Sequence, residues 1–85
     1  MELSRRDRMI LDFERMSWQL SGPKEAAIRE RLGLSTTRYY RLVNELIDRP
    51  EAYEYDPLLV RRLRTRRDER RRRKFLGREV DPRRR

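Results

Sequence analysis

Three stretches of helical hydrophobic spacing divide the chain, and a long polar run follows the last of them. In the first, Met9, Phe13, Met16 and Leu20 recur at i, i+4, i+7 and i+11 with Ile10 beside them, while Leu11 and Trp18 form a second strip. That spacing predicts an amphipathic helix with these strips against a core. Ser4 stands at the N-cap position with Asp7 three residues on, a weak capping box. A small domain needs its large aromatics inside, so Phe13, Trp18 and Tyr39 are expected to be buried, and Trp18→Ala to cost about 3 to 5 kcal/mol. Ser21-Gly22-Pro23 closes this helix, with Gly22 in the C′ role and Pro23 opening the next.

The second stretch, from Lys24 to Asp48, places Ile28, Leu32, Leu34, Tyr39, Leu42 and Leu46 at the spacing of two helices that share one core across a glycine turn. Gly33 follows Leu32 and supplies the positive φ that ends a helix sharply, and Ser35 offers a hydroxyl to cap the helix after it. The expected helices run from about Pro23 to Leu32 and from about Thr36 to Asp48, the pattern of a helix-turn-helix. One position departs from the usual form of that motif. Arg29 stands where a small residue four before the turn glycine lets the helices cross closely, although Ala26 and Ala27 are adjacent.

In the third stretch Arg49-Pro50 ends the preceding helix, because proline disfavours a helical residue before it. Glu51 to Tyr55 has room for a helical turn but no strong period, and Tyr53 and Tyr55 are expected as lids on the core. Asp56-Pro57 is a strong helix start, N-cap then N1, and the helix it opens is expected to dock through Leu58, Leu59, Val60 and Leu63. From Arg64 to Lys74 no residue is hydrophobic. The i,i+4 pairs Asp68–Arg72 and Glu69–Arg73 favour a helix that projects into solvent with no anchor, like-charge repulsion limits its order, and Arg83 to Arg85 are expected to be disordered without a polyanion. The expected fold is all-α: a small helix-turn-helix domain of four helices over residues 1–64, with the motif at about 24–48, and a basic, partly disordered C-terminal extension over 65–85.

Composition narrows the function. The 85 residues include no Cys and no His, which removes disulfides, thiolate metal sites and the commonest acid/base side chain, and the three glycines are isolated. No carboxylate pair sits in an apolar setting, so catalysis, metals and cofactors are not expected. No apolar run reaches the length of a membrane span or a signal peptide, so the protein is expected to be cytoplasmic. The net charge of +9 is unevenly divided: residues 1–56 carry −1 and residues 57–85 carry +10. A nearly neutral folded part with a polybasic extension suits a nucleic-acid binder whose phosphate affinity lies largely outside its core.

On the second helix of the motif the positions read as outward are Ser35, Thr36, Thr37, Arg38, Tyr40, Arg41 and Asn44. These are groove-reading chemistries, since Arg forks onto guanine, Asn onto adenine, Thr meets a thymine methyl and hydroxyls hold phosphates. The blander reading is an ordinary solvated helix face. Arg61, Arg62 and Arg64 at the end of the fourth helix and Arg66 and Arg67 at the start of the extension are the further expected DNA contacts, the extension holding phosphates; arginine so outnumbers lysine there that a merely solubilising tail is the poorer reading.

Three blocks, LSRRDRMILDFER, GPKEAAIRERLGLSTTRYYRLVNELIDRPEA and DPLLVRRLRTRR, resemble the short actinobacterial helix-turn-helix proteins grouped as a domain of unknown function, a family that includes a GATC-binding nucleoid-associated protein of streptomycetes. The resemblance covers about the first 67 residues. It implies a small double-stranded-DNA-binding protein with one helix-turn-helix and no sensor domain, associated with the nucleoid rather than with a single operator. By position, Ser35 to Arg41 is then the base-reading and phosphate-holding element. The expected partner is duplex DNA, bound as a monomer or weak dimer, with no membrane and no small-molecule effector. The alternatives are a dedicated, possibly phage-borne, regulator of a few operators, and an RNA- or ribosome-associated basic protein. The absence of a dimerisation domain speaks against the first and the core spacing of the aromatics against the second.

Overall fold

The computed structural model describes the backbone of residues 2–80 and the side chains of residues 2–74. Within them five α-helices follow one another: α1 (Arg5–Met16), α2 (Lys24–Leu32), α3 (Thr36–Leu46), α4 (Pro50–Tyr55) and α5 (Pro57–Val80). A 3-10 turn over Ser17–Gln19 closes α1. The fold is all-helical as expected, with one more helix than expected, because Pro50 starts a helix at N1 as readily as it ends one. Beyond Leu63 α5 continues as helix to Val80, as the i,i+4 pairs Asp68–Arg72 and Glu69–Arg73 favour; the disorder expected of Arg83 to Arg85 lies outside the described residues.

The helix boundaries follow local signals. Ser4 and Asp7 form a full capping box, each side chain bonded to the other's backbone. Gly33 takes φ 68°, the left-handed conformation that stops α2 and that glycine adopts without strain. The Ser35 hydroxyl accepts from the Arg38 amide at 3.2 Å to cap α3, and Asp56 accepts from the Leu59 amide at the start of α5. Gly22 does not play the expected C′ part: α1 has already ended, and Pro23 is itself the N-cap of α2.

The core joins α1, α2, α3 and α5, with Ile10, Leu11, Ile28, Tyr39, Ile47 and Val60 fully buried, and the Phe13 ring meets the Tyr39 ring edge-on at 5.7 Å. On α1 the buried face is centred on Asp7, Ile10, Leu11 and Glu14, rotated from the expected line, so that Met9 is 42% exposed. Two carboxylates on this face are buried because each has partners. Asp7 holds the cap and Arg49 at 3.1 Å, and Glu14 holds Lys24 and Tyr39. A pattern of apolar residues alone cannot see them.

Trp18 corrects an expectation outright: it is 74% exposed. It lies past the end of α1, in the 3-10 turn over Ser17–Gln19, none of whose residues is buried. Leu58 is likewise 73% exposed while Leu59 and Val60 are buried, so α5 docks one residue later than its first leucine. Tyr53 and Tyr55 are surface residues rather than lids; the Tyr55 hydroxyl donates to Asp12 at 2.9 Å and the Arg64 guanidinium lies over the Tyr53 ring.

Two consequences can be measured by thermal and chemical denaturation. Trp18→Ala should change stability by no more than about 0.5 kcal/mol, whereas Ile10→Ala should cost about 2 to 5 kcal/mol. Equal losses would put the indole back in the core. The second concerns acid. Burial acts to raise the Asp7 carboxyl, but the Ser4 amide and hydroxyl and the Arg49 guanidinium outweigh it and hold it below the ordinary value of 3.8. A lowered carboxyl stabilises the fold above its unfolded value, and that stability is lost as pH falls through the folded one. Asp7→Asn should therefore flatten the decline of stability below about pH 4; parallel profiles for the two proteins would mean that Asp7 does not contribute to it.

Candidate nucleic-acid interface

The phase of α3 follows from what it buries. Tyr39, Val43 and Leu46 face the core, so Thr37, Arg41 and Asn44 point directly away from it, flanked by Tyr40 on one side and Arg38 on the other, all exposed. Among the described residues no ion pair or side-chain hydrogen bond occupies Thr37, Arg41 or Asn44. Thr36 does not join this line. It is half-buried in phase with Tyr39 and Val43, and Ser35 already accepts the Arg38 amide, leaving its hydroxyl proton to donate.

Two carboxylates share the outward side and escaped the sequence reading: Glu45, and Asp48 just past the helix end. Asp48 is neutralised from α5 by Arg67, with nitrogen to oxygen at 2.9 Å. One turn earlier on α5 the Arg64 Nε donates to the Ile47 carbonyl at the C-terminal end of α3, where a cation also complements the helix dipole. Arg64 and Arg67, both expected as phosphate contacts, thus have partners inside the molecule, and they anchor a helix that has no apolar residue from Arg64 to Lys74.

Beside this joint lies a cleft of about 170 Å³ lined by Lys24, Tyr40, Asn44, Leu63, Arg66 and Arg70, with Glu14 among its walls. Of the expected site residues the cleft brings together Tyr40, Asn44, Arg66 and Arg67. Lys24 and Arg70 were missed as individuals, although Arg70 was legible as the i+7 continuation of Leu63. Arg61 is exposed elsewhere on α5, and Arg62 lines a separate groove of about 230 Å³ with Arg15, Trp18 and Leu58.

Lys24 couples this wall to the interior. Its ammonium bonds Glu14 at 2.9 Å and sits 5.2 Å from the centroid of the Tyr40 ring, which in turn stands edge-on to Tyr39 at 5.0 Å. Partial burial acts to lower the Lys24 ammonium, yet the Glu14 hydrogen bond and charge prevail and raise it above its ordinary value. Burial, with the Glu14 carboxylate alongside, also pushes the Tyr39 hydroxyl far above the usual phenol range, so it remains a donor to Glu14 at 2.7 Å. The arrangement sets a neutral hydroxyl and a fixed cation behind a face of hydroxyl, amide and guanidinium groups. Among the described residues no cluster of acidic side chains suits a metal ion, and no helix is long and apolar enough to cross a membrane.

A family of proteins of unknown function, DUF3263, matches residues 2–74. The chain belongs to that family. No curated protein and no solved structure matches the chain.

Glu14 is the partner whose loss would disturb most. Glu14→Ala leaves the buried Tyr39 hydroxyl without its acceptor and Lys24 without its counter-charge, at a cost of about 1 to 3 kcal/mol. Tyr39→Phe, which removes the donor and keeps the ring, should cost less; the reverse order in urea denaturation would mean that Glu14 is not the hub.

Proposed function

We propose that this DUF3263 protein is a small sequence-preferring double-stranded-DNA-binding protein, nucleoid-associated, with many short-motif sites, which reads the major groove through the outward face of α3. The observation that carries the reading is that face: Thr37, Arg41 and Asn44 stand in one exposed line with no internal partner, flanked by Tyr40 and Arg38. Arg and Asn are the two side chains best suited to fork onto purine edges, and Thr suits the thymine methyl. A helix follows a tight glycine turn, which presents such a face clear of the preceding helix.

Charge supports the same reading. The excess cations lie on α5, and its base is tied to the C-terminal end of α3 through Arg64 and Arg67, so cationic and base-reading surfaces are held side by side. Arg67 also cancels the Asp48 carboxylate, which would otherwise repel a duplex lying along α3. The likeness to the GATC-binding nucleoid-associated protein of streptomycetes makes a GATC-containing duplex the first to try. A genome-wide profile with thousands of short-motif sites would support the nucleoid reading, a handful of sites a dedicated regulator, and RNA crosslinks an RNA-binding role.

The sharpest test is Arg41→Ala. It should weaken binding to a GATC-containing duplex by about 1 to 3 kcal/mol, weaken a scrambled duplex much less, and leave thermal melting unchanged. Parent-like affinity for both duplexes would remove Arg41 from the reading surface.

A further inference from the structure

Past Leu63, its last apolar contact with the core among the described residues, α5 continues as helix to Val80, about 25 Å of further length at 1.5 Å per residue. The residues that follow Leu59 and Leu63 at the same spacing of three and four are Arg66, Arg70 and then Arg73 and Lys74. The strip that packs leucines at the base of the helix becomes a line of cations along its projecting part. Of the two acids of this part up to Lys74, Glu69 flanks the line one turn before Arg73, and Asp68 lies with Arg61, Thr65 and Arg72 on the opposite side.

The line begins inside the cleft. Arg66 and Arg70 share its wall with Lys24, Tyr40 and Asn44, and neither arginine has an ion-pair or hydrogen-bond partner among the described residues. The cleft's one carboxylate, Glu14, is already held by Lys24 and Tyr39. Arg67, one residue off the line toward α3, is paired with Asp48.

We propose that this strip of α5, Arg66, Arg70, Arg73 and Lys74, is the arm that holds the sugar-phosphate backbone beside the groove entered by α3, and that Arg61 and Arg72 on the opposite side hold no phosphate. The proposal rests on the duplex-DNA reading of α3. Along the helix axis Arg66 and Arg70 are about 6 Å apart and Arg70 and Arg73 about 4.5 Å, against a charge about every 3.4 Å of axis on one duplex strand, so the long side chains of a straight helix span neighbouring phosphates. A helix already ordered loses less entropy on binding than a flexible basic tail would. Because α5 is fixed to the end of α3 by Arg64 and Arg67, the arm takes the backbone in one register relative to the α3 face.

The test compares two double substitutions that remove the same charge from opposite sides, Arg66→Gln/Arg70→Gln and Arg61→Gln/Arg72→Gln, in the full chain. Binding to a mixed-sequence 20-base-pair duplex is followed by fluorescence anisotropy across a salt series, with circular dichroism for helix content. The strip pair should flatten the slope of log affinity against log salt by about 1.8, two contacts at about 0.9 each. The opposite pair should leave the slope near the parent's, and Arg66→Lys/Arg70→Lys should restore most of it. Equal slopes for the two glutamine pairs would overturn the proposal in favour of diffuse attraction by net charge, as would a larger loss from the opposite pair. If Arg41→Ala still lowers motif preference while the two pairs behave alike, the arm falls and the α3 reading stands; if the parent binds no duplex, both fall.

Discussion

A single buried carboxylate fixes how three helices meet. Glu14 of α1 accepts from Tyr39 of α3 and from Lys24 at the start of α2, so its position sets those of the other two. Taking a carboxylate out of water is costly, and the cost is offset only while both partners stay in place. The buried ring of Tyr39 is therefore held at both ends, by Phe13 against its edge and by Glu14 at its hydroxyl, and the phase of α3 follows from that ring. Thr37, Arg41 and Asn44 point outward because Tyr39 cannot.

The rest of the assembly is joined in the same manner. Arg15 meets the buried Asp56 carboxylate at the start of α5, Arg49 reaches back to Asp7 at the start of α1, and Arg64 and Arg67 clamp α5 to the end of α3. A chain in which 46% of residues are charged and 35% hydrophobic has little apolar surface to bury, and it secures its helix ends with guanidinium groups. Such pairs add little when exposed. Those with one member buried act mainly on geometry, since a slipped register would leave Asp7, Glu14 or Asp56 buried and unpaired.

What was legible in the sequence was what depends on near neighbours. Ser4 with Asp7, Gly33, Ser35 and Asp56 each act within four residues, and each took its expected part. The inward set of Ile28, Tyr39 and Leu46 was legible for a related reason, that a helix phase needs only a few apolar residues to define it. Asp7 and Glu14 were hidden because the residues that make their burial tolerable come from elsewhere in the chain, Arg49, Lys24 and Tyr39. Trp18 was misplaced because α1 ends at Met16, so the helical face was extended into a 3-10 turn that buries none of its residues. The cleft joining Tyr40 and Asn44 to Arg66 and Arg70 needs the docking of α5 on α3, which no local pattern contains.

The same joint separates two properties that a single basic helix would mix. The outward face of α3 carries Arg41 at its centre, with Arg38 at its flank and Glu45 on the same side, so its attraction for a polyanion is weak in itself. In the proposed reading the projecting part of α5 up to Lys74 supplies charge in excess rather than base preference. Long-range attraction from α5 is strongly screened by salt, while base-edge hydrogen bonds in a desolvated groove are screened far less. Preference between sites should then persist at salt concentrations where total affinity has fallen, provided the two helices keep their relative placement. That placement depends on Arg67 and Asp48 at one end of α3 and on Glu14 behind the other, so the polar pairs that a hydrophobic reading would count as surface are what hold the two helices in one fixed arrangement.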